Sequence, residues 1–346
     1  MQPLISFQAL ARSDGFRKLQ WPLLALAGLL LFNLVFSPEF LRVEIKNGHL
    51  YGSTIDIFNR GAPVMLLALG MSLVIATGGV DLSVGALMAV SGAVAAILIS
   101  RAHLGAMTAA LGAIAAGLAG GAFNGVLVSL LRVQPIVATL ILMVAGRGIA
   151  QLLSGGQIIT FRNPGLEFLG GGYFAGLPFA ISVVACVFVA LGLFMRQTAL
   201  GLFVEAVGNN ERASRYAGIS TGLIKFSVYL VSGGCAGLAG LIVASNIRAA
   251  DANSAGLWLE LDAILAVVIG GAGLTGGRFY LFNSLVGALL IQTLTTTILT
   301  RGIPVEFTLV VKAVVIIGVC LIQAEDFRRM LRGVWRPKQL GQARPK

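Results

Sequence analysis

The chain has 346 residues, of which 57% are hydrophobic and 11% are charged, and its mean hydropathy is +0.91. Soluble domains average about 45–50% apolar and about 25% charged residues, so this composition excludes a soluble protein and indicates an integral membrane protein. The net charge of +11 is dispersed among hydrophobic runs, which argues against a nucleic-acid partner. Forty-five glycines suit helices that pack closely in lipid. We predict an all-α, polytopic membrane helix bundle.

Ten apolar runs approach the length of about 20 residues that one bilayer crossing requires. The first run has no small-residue cleavage site, which favours a retained span over a removed signal peptide. Together the runs predict a transmembrane domain at 19–323, between an N-terminal segment at 1–18 and a C-terminal tail at 324–346. The predicted spans are Leu19–Phe36, Gly61–Val80, Leu82–Ser100, Leu104–Leu131, Val133–Leu153, Tyr173–Met195, Phe226–Ile247, Leu257–Gly276, Phe279–Thr300 and Pro304–Gln323.

The basic residues predict the orientation, because cytoplasmic segments carry an excess of Lys and Arg. The N-terminal segment contains Arg12, Arg17 and Lys18, so we expect both termini in the cytoplasm, which requires an even number of spans. The same alternation makes the polar segment 196–225 cytoplasmic and the loops 37–60 and 154–172 external. The basic residues of the tail are Arg328, Arg329, Arg332, Arg336, Lys338, Arg344 and Lys346.

Two glycine-rich interruptions each fit more than one local structure. The sequence GGVDLSVG surrounds Asp81, and GGAGLTGGR runs from Gly270 to Arg278. Each interruption fits a broken or re-entrant helix that lines a wet pathway, because irregular backbone at membrane depth must be buried in protein or face a cavity. Each also fits a tight cytoplasmic turn, and Asp81 fits an ordinary helix N-cap.

Ionisable residues are few in and between the predicted spans, and those available for an internal ion route include Asp81, Arg147, Glu260, Asp262 and Lys312. An unpaired charge at membrane depth is costly, so we expect Arg147 to pair with Asp262 or Glu260. Such a pair would either lock helices together or act as a gate. Lys312 would either join this layer or extend its ammonium group to the membrane surface.

Motifs for nucleotide or metal chemistry are missing from the sequence. None of the six lysines follows a glycine, so the chain has no GxxxxGK[ST] phosphate-binding loop. The two histidines, His49 and His103, belong to no HExxH motif or other metal-ligand cluster. We therefore predict no catalytic residue, no metal site and no cofactor bound by this chain.

A polar island interrupts the apolar spans from Thr198 to Lys225, with helix-forming Ala, Glu and Arg beside turn-forming Gly and Asn. We expect a short helix around Glu205 that ends at Gly208, because glycine commonly terminates helices. Charged side chains gain nothing from hydrocarbon, so this stretch must stay in water. It is either a docking surface for another protein or a solvated connector.

Four stretches resemble the permease subunits of bacterial ribose-type sugar ABC importers, and the resemblance covers nearly the whole chain. They are IATGGVDLSVGALMA at Ile75–Ala89, VQPIVATLILMVAGRGIAQL at Val133–Leu152, the polar island, and LELDAILAVVIGGAGLTGGR at Leu259–Arg278. Within that family, the stretches Asp56–Gly79 and Arg248–Gly271 resemble a galactofuranose importer permease.

The resemblance implies that the polar island is the coupling loop, which seats in a groove of a separate cytoplasmic ATPase. ATP and Mg²⁺ would be used by that ATPase. The other implied partners are a periplasmic sugar-binding protein and a second permease chain, identical or paralogous, in the bacterial inner membrane. The residues that match the coupling pattern of the family are Gly201, Glu205, Ala206, Gly208, Asn209, Ala213, Ala217, Gly218 and Ile219.

Polar residues in the spans are candidates for lining a sugar pathway, which needs only weak, hydroxyl-compatible contacts. The same residues suit hydrogen bonds between helices. The uncharged candidates are Asn59, Ser83, Gln134, Thr139, Gln151 and Asn253, and the charged ones are Asp81, Arg147, Glu260 and Asp262. The alternative functions are an ion-coupled secondary transporter, a membrane-embedded glycosyltransferase and a passive channel.

Overall fold

The computed structural model describes residues 14–46, 48–304 and 307–323. Within these residues the chain forms an all-α polytopic bundle, which confirms the predicted fold class. The helices are α1 Asp14–Phe36, α2 Ser53–Ala76, α3 Val84–Ser100, α4 Ala106–Ser129, α5 Pro135–Ser154, α6 Pro164–Gly171, α7 Phe179–Gln197, α8 Ala199–Asn209, α9 Glu211–Tyr216, α10 Thr221–Ile247, α11 Leu259–Ile269, α12 Leu281–Thr300 and α13 Thr308–Gln323.

Seven of these helices are long and apolar enough to cross a membrane: α1, α2, α4, α5, α7, α10 and α12. The other three predicted spans correspond to shorter helices. The helix α3 has 17 residues, α11 has 11 and α13 has 16. At 1.5 Å per residue, α11 is about 16 Å long, which is roughly half the thickness of the hydrocarbon core.

The bundle has two distinct ends. The end that carries α8 and α9, which follow directly after α7, is named the coupling end after the role that the resemblance implies. The distal end carries α6 and three two-stranded antiparallel pairs, in which Glu44–Lys46 pairs with His49–Tyr51, Ile159–Thr160 with Ala249–Ala250, and Tyr173–Phe174 with Leu177–Pro178. The α2 helix runs from the distal end to the coupling end, and α12 runs back.

The first and last described helices meet the coupling end on the same side of the bundle. At the start of α1, the Lys18 ammonium donates to the Gly271 carbonyl at 3.0 Å. At the distal end, the Arg301 guanidinium after α12 donates to the Phe36 carbonyl at the end of α1, at 3.3 Å. The α13 helix follows α12, and its Lys312 pairs with Asp262 of α11.

Several predicted boundaries were wrong, by up to eight residues. The α2 helix begins at Ser53 rather than Gly61, so Asp56, Asn59 and Arg60 are helical rather than part of an external loop. The α10 helix begins at Thr221 rather than Phe226, and α7 extends to Gln197, so the polar segment is shorter than 196–225. Residues 1–13 of the N-terminal segment and the whole basic tail at 324–346 lie outside the described residues.

The centre of the bundle is α2, which is buried along nearly its whole length from Gly61 to Ala76. Around it pack α10, α11, α12 and α7. The closest helix pair is α4 with α10, where glycines face each other: a Cβ on Gly117 would lie 2.7 Å from the Gly237 Cα. Small residues thus bring these backbones together, as the glycine-rich composition predicted.

Both glycine-rich interruptions are turns between antiparallel helices. The segment 77–83 connects α2 to α3, and the segment 270–280 connects α11 to α12. The two segments meet at the coupling end, where the Gly277 amide donates to the Ala76 carbonyl at 2.8 Å. From there the segment 77–83 runs into the bundle, where Asp81 contacts Ser232 in the middle of α10. Asp81 is not the N-cap of α3, since Ser83 occupies that position.

Candidate functional site

The polar island forms two short capped helices, α8 and α9. The Thr198 hydroxyl accepts from the Leu200 amide at 3.3 Å at the start of α8, and the Asn210 side chain accepts from the Ala213 amide at 3.0 Å at the start of α9. Such caps satisfy amides that have no partner within the helix. The predicted helix around Glu205 is confirmed, and the segment is folded into two helices with defined starts.

The prediction that Gly208 ends this helix was wrong. The α8 helix continues to Asn209, and the chain leaves it at Asn210, whose backbone is extended with a φ of −158°. A Cβ on Gly208 would meet the Ala76 carbonyl oxygen and lie 2.6 Å from the Gly277 amide nitrogen. The absence of a side chain at this position therefore allows close packing against the bundle and does not serve a turn.

The family-matched residues of the island separate into inward and outward positions. Gly201 is buried and packs against the Met195 carbonyl, and Gly208 packs on the end of α2. Glu205, Ala206 and Ile219 are partly buried. The exposed members, which are free to contact another protein, are Asn209, Ala213, Ala217 and Gly218.

Exposed large side chains beside these small residues were not predicted from the sequence. Tyr216, the last residue of α9, is 91% exposed, and Leu202 and Leu223 are 68% and 69% exposed. Aromatic side chains are enriched among the residues that carry binding energy in interfaces. The available signal was one aromatic residue between Arg215 and Ala217 in an otherwise small and polar segment.

An ion-pair cluster holds α9 against α10. The Glu211 carboxylate accepts from the Lys225 ammonium at 2.6 Å and from the Arg215 guanidinium at 3.3 Å. Partial burial acts to raise the pKa of Glu211, but the Lys225 hydrogen bond and the charges of Lys225 and Arg215 outweigh it and lower the pKa below its ordinary value. Glu211 therefore positions the helix rather than presenting a free charge.

A cavity of about 820 Å³ lies beside α8 at the coupling end. Its walls come from α1, α7, α8 and the start of α12, and they include apolar side chains such as Phe188 and Leu193. Arg196 and Glu205 supply charges to its lining. Glu205 thus faces a recess of the bundle rather than the exposed outer face of α8.

Asp81 lies at the centre of a buried hydrogen-bond network behind the turn 77–83. Its carboxylate accepts from the Ser83 hydroxyl at 2.6 Å and from the Ser232 hydroxyl of α10 at 2.8 Å. The Asn124 amide of α4 donates to Ser83 at 2.8 Å and reaches Asp81 at 3.4 Å. Asp81 is fully buried. The network fastens the turn to α4 and α10, so Asp81 and Ser83 connect helices in this structure.

Arg147 does not form the ion pair that the sequence suggested. Its guanidinium donates to the Ala255 carbonyl at 2.6 Å and to the Ala252 carbonyl at 3.0 Å, both in the turn 251–258 that precedes α11. Asp262 instead accepts from Lys312 of α13 at 2.9 Å, with both side chains 13% exposed. Lys312 is therefore paired within the bundle rather than extended to the surface. Carbonyl groups satisfy Arg147 where a carboxylate was expected.

Glu260 is a buried acid whose charge interacts with that of Arg147. It is 4% exposed, and its Oε2 atom has no hydrogen-bond partner among the described residues. A Cβ on Gly85 of α3 would meet this oxygen and also the Gly256 carbonyl. The glycine at position 85 therefore makes room for the carboxylate and for the turn before α11.

The remaining pathway candidates do not converge on one cavity. At the distal end, the Gln151 amide donates to the Asn253 side chain at 2.8 Å, and both residues are exposed. Thr139 is buried and donates to the Pro135 carbonyl of its own helix at 3.0 Å. Asn59 lies near the distal start of α2, and Gln134 immediately precedes α5 at the other end of the bundle. The candidates thus form separate groups.

Comparison with known proteins identifies the family. The family described as branched-chain amino acid transport system / permease component matches residues 53–320, from the start of α2 into α13. The galactofuranose transporter permease protein YtfT of Escherichia coli K12 is 51% identical over 323 residues, which is 92% of this chain and 94% of the relative. No solved structure matches the chain.

Two further relatives carry the same kind of name. The fructose import permease protein FruF of Bifidobacterium longum is 38% identical over 93% of this chain and 92% of its own length. The ribose import permease protein RbsC of Escherichia coli K12 is 35% identical over 88% of this chain and 92% of its own length. The chain belongs to this permease family, among the ribose-type sugar ABC importer permeases.

Proposed function

We propose that the chain carries galactofuranose, or a closely related monosaccharide, through the membrane as the permease subunit of an ATP-driven importer. The observation that carries the proposal is the 51% identity to a galactofuranose permease over 92% of the chain. Permeases of this family are transport subunits rather than enzymes, and the ATPase is a separate subunit. ATP and Mg²⁺ are used in that partner.

The ATPase docks on the exposed face of α8 and α9, which we name the coupling surface. Its capped helices support this assignment, because a preformed surface loses little conformational entropy on binding. Tyr216 is the aromatic anchor, and the small neighbours leave room for a groove to close around it. The coupling surface consists of Leu202, Asn209, Arg212, Ala213, Tyr216, Ala217 and Gly218.

The coupling end faces the cytoplasm in this proposal. Arg196, Arg212, Arg215 and Lys225 lie in or beside the coupling segment, as the positive-inside bias requires. The ends of α1 and α13 on this side make both termini cytoplasmic. The distal end then receives the periplasmic sugar-binding protein, and a second permease chain completes the pathway in the inner membrane.

Gln151 and Asn253, which we name the distal polar group, form the entrance of the sugar pathway. Gln151 and Asn253 are exposed and offer amide donors and acceptors to sugar hydroxyl groups. Arg147 holds the turn that carries Asn253 through the Ala252 and Ala255 carbonyls. Weak and exchangeable contacts of this kind suit a permease, because the binding protein supplies the affinity.

The test is co-purification of the chain with a candidate ATPase and binding protein, followed by a panel of furanose and pyranose sugars. We expect a stable complex whose ATP hydrolysis is stimulated by the binding protein loaded with galactofuranose and not by pyranoses. If another sugar stimulated ATP hydrolysis by a stable complex, that sugar would be the substrate instead of galactofuranose. Uptake by the isolated chain in vesicles under an ion gradient would contradict the proposal and favour a secondary transporter.

A further inference from the structure

Three backbone segments meet at the coupling end without intervening side chains. The Gly277 amide donates to the Ala76 carbonyl at 2.8 Å, and Gly208 of α8 packs directly on both groups. A Cβ on Gly276 would lie 2.8 Å from the Gly78 amide nitrogen. We name this contact the coupling junction. It joins the end of α8 to the end of α2 and to the loop 270–280.

A junction made of backbone atoms has little freedom to absorb a displacement. Side chains at a contact adjust by changing rotamer, whereas closely packed backbones can only move together or separate. Separation here would break the Gly277–Ala76 hydrogen bond. A shift of α8 therefore displaces the end of α2 and the loop 270–280 as one unit.

One branch of the junction leads to α4 and α10. The turn 77–83 follows Ala76 directly, and the Asp81 carboxylate binds the Ser232 hydroxyl of α10 at 2.8 Å. The Asn124 side chain of α4 donates to Ser83 in the same turn. The members of this buried network contact one another. A displacement of the turn is therefore passed to both α4 and α10.

The other branch leads along α11 toward the distal end. This helix has 11 residues and lies between two irregular connections, with positive φ angles at Gly256 and Trp258 before it and at Gly271 after it. Rigid elements between such connections move as rods about hinges. The turn before α11 contains the two carbonyl groups that accept from Arg147. The rod thus extends from the coupling junction about 16 Å into the bundle, to the turn that Arg147 contacts.

We infer that the coupling junction and α11 form a mechanical relay from α8 to the Arg147 contact. The inference rests on the proposed function, because the docked ATPase supplies the movement of α8. Gly208 is then a positioning residue that transmits motion into the bundle rather than a residue that contacts the ATPase. Arg147 is released or held at the distal end according to the position of α11.

The first test substitutes Gly208→Ala in the complete importer with its ATPase and binding protein. The added methyl group pushes against the Ala76 carbonyl and the Gly277 amide, so we expect sugar uptake per ATP hydrolysed to fall at least about tenfold. The ATPase should still co-purify at the parental ratio. The control is Gly192→Ala in α7, where an added Cβ meets nothing within 4 Å.

Two outcomes of this test would overturn the relay. Unchanged uptake per ATP in Gly208→Ala would show that the junction transmits nothing. Loss of ATPase co-purification in Gly208→Ala, with Gly192→Ala intact, would make Gly208 a docking residue. Failure of the unaltered chain to bind the ATPase would instead contradict the proposed function, so the two ideas fail separately.

The second test measures motion in the folded importer, with spin labels in a variant that lacks the three native cysteines. Labels replace the exposed residues Ala199 of α8, Leu274 of the loop and Leu104 of the distal end. Between the nucleotide-free and ATP-bound states, the relay predicts an Ala199–Leu274 distance constant within about 2 Å and a Leu274–Leu104 distance that changes by more than about 3 Å. The reverse pattern would overturn the relay.

Discussion

Both ends of the bundle contain close backbone contacts, such as Gly170 of α6 against the Ser245 and Asn246 backbone at the distal end, but they differ in the side chains that join their elements. At the coupling end, backbone packs on backbone at Gly208 and Gly277, with the buried Asp81 network behind it. At the distal end, long charged side chains bridge the elements: Arg147 reaches two carbonyls, and Arg248 pairs with Glu167 at 3.0 Å. Backbone contacts transmit a displacement directly, whereas side-chain contacts can be broken and formed again. The difference suits a molecule driven from one end and opened at the other.

The largest expected effect concerns the ion pair between α11 and α13. Substituting Lys312→Met leaves the Asp262 carboxylate buried without its 2.9 Å partner, so we expect the free energy of unfolding to fall by about 3–5 kcal/mol. The matched control is the double variant Lys312→Met with Asp262→Leu, which removes both charges and should recover to within about 1 kcal/mol of the parent. Thermal or chemical unfolding in detergent measures both variants. Equal losses in the single and double variants would contradict the pairing.

The next effect sharpens the description of the coupling end. Substituting Asp81→Ala leaves the Ser83 and Ser232 hydroxyl groups without their acceptor, and we expect a loss of about 2–3 kcal/mol in the free energy of unfolding. Asp81→Asn keeps one acceptor oxygen and should lose less than half as much. The same unfolding measurement compares the variants. A parental unfolding midpoint for Asp81→Ala would mean that the network does not fasten the turn.

A smaller effect tests the coupling surface without disturbing the bundle. Substituting Tyr216→Ala removes a side chain that is 91% exposed, so the unfolding midpoint should stay parental. Affinity for the ATPase should weaken by about 2 kcal/mol, or roughly thirtyfold, if Tyr216 is an interface anchor. Leu104→Ala, which removes an exposed side chain at the distal end, is the control. Equal affinities for the parent and Tyr216→Ala would reject the anchor.

The smallest effect is the pH dependence of the Glu211 cluster. Because the folded pKa of Glu211 lies below its ordinary value of 4.5, its stabilising contribution is present above that value. The contribution is lost as the pH falls through the folded pKa. The side chain is 39% exposed, so we expect a loss under about 1 kcal/mol. The stability difference between the parent and Glu211→Gln should shrink toward zero in acid, and a constant difference would contradict the assignment.

Much of the bundle could be predicted, because hydrocarbon admits few kinds of sequence. The ten apolar runs each correspond to a helix, and the island contains the predicted helix around Glu205. The second helix of the island and the caps at Thr198 and Asn210 were not predicted. The start of α2 was missed because Asp56, Asn59 and Arg60 resemble a loop in composition. Helix packing around α2 outweighs that local polarity.

The site was less predictable, because its partners are set by three-dimensional packing. The positions of the carbonyl groups that bind Arg147 depend on the backbone conformation of the turn 251–258, which the residue types of the turn do not predict. The same residue type, glycine, serves helix ends and close packing, so Gly208 was assigned the wrong role. Tyr216 belongs to no recognisable motif, and its exposure depends on its position as the last residue of α9.

The most direct measurement is radiolabelled galactofuranose uptake into proteoliposomes that contain the chain, its ATPase and the binding protein. We predict uptake that requires enclosed or added ATP on the ATPase side, ceases when the ATPase is omitted, and scales with ATP hydrolysed. Uptake that persists without the ATPase, driven by an ion gradient or by the sugar gradient alone, would contradict the account.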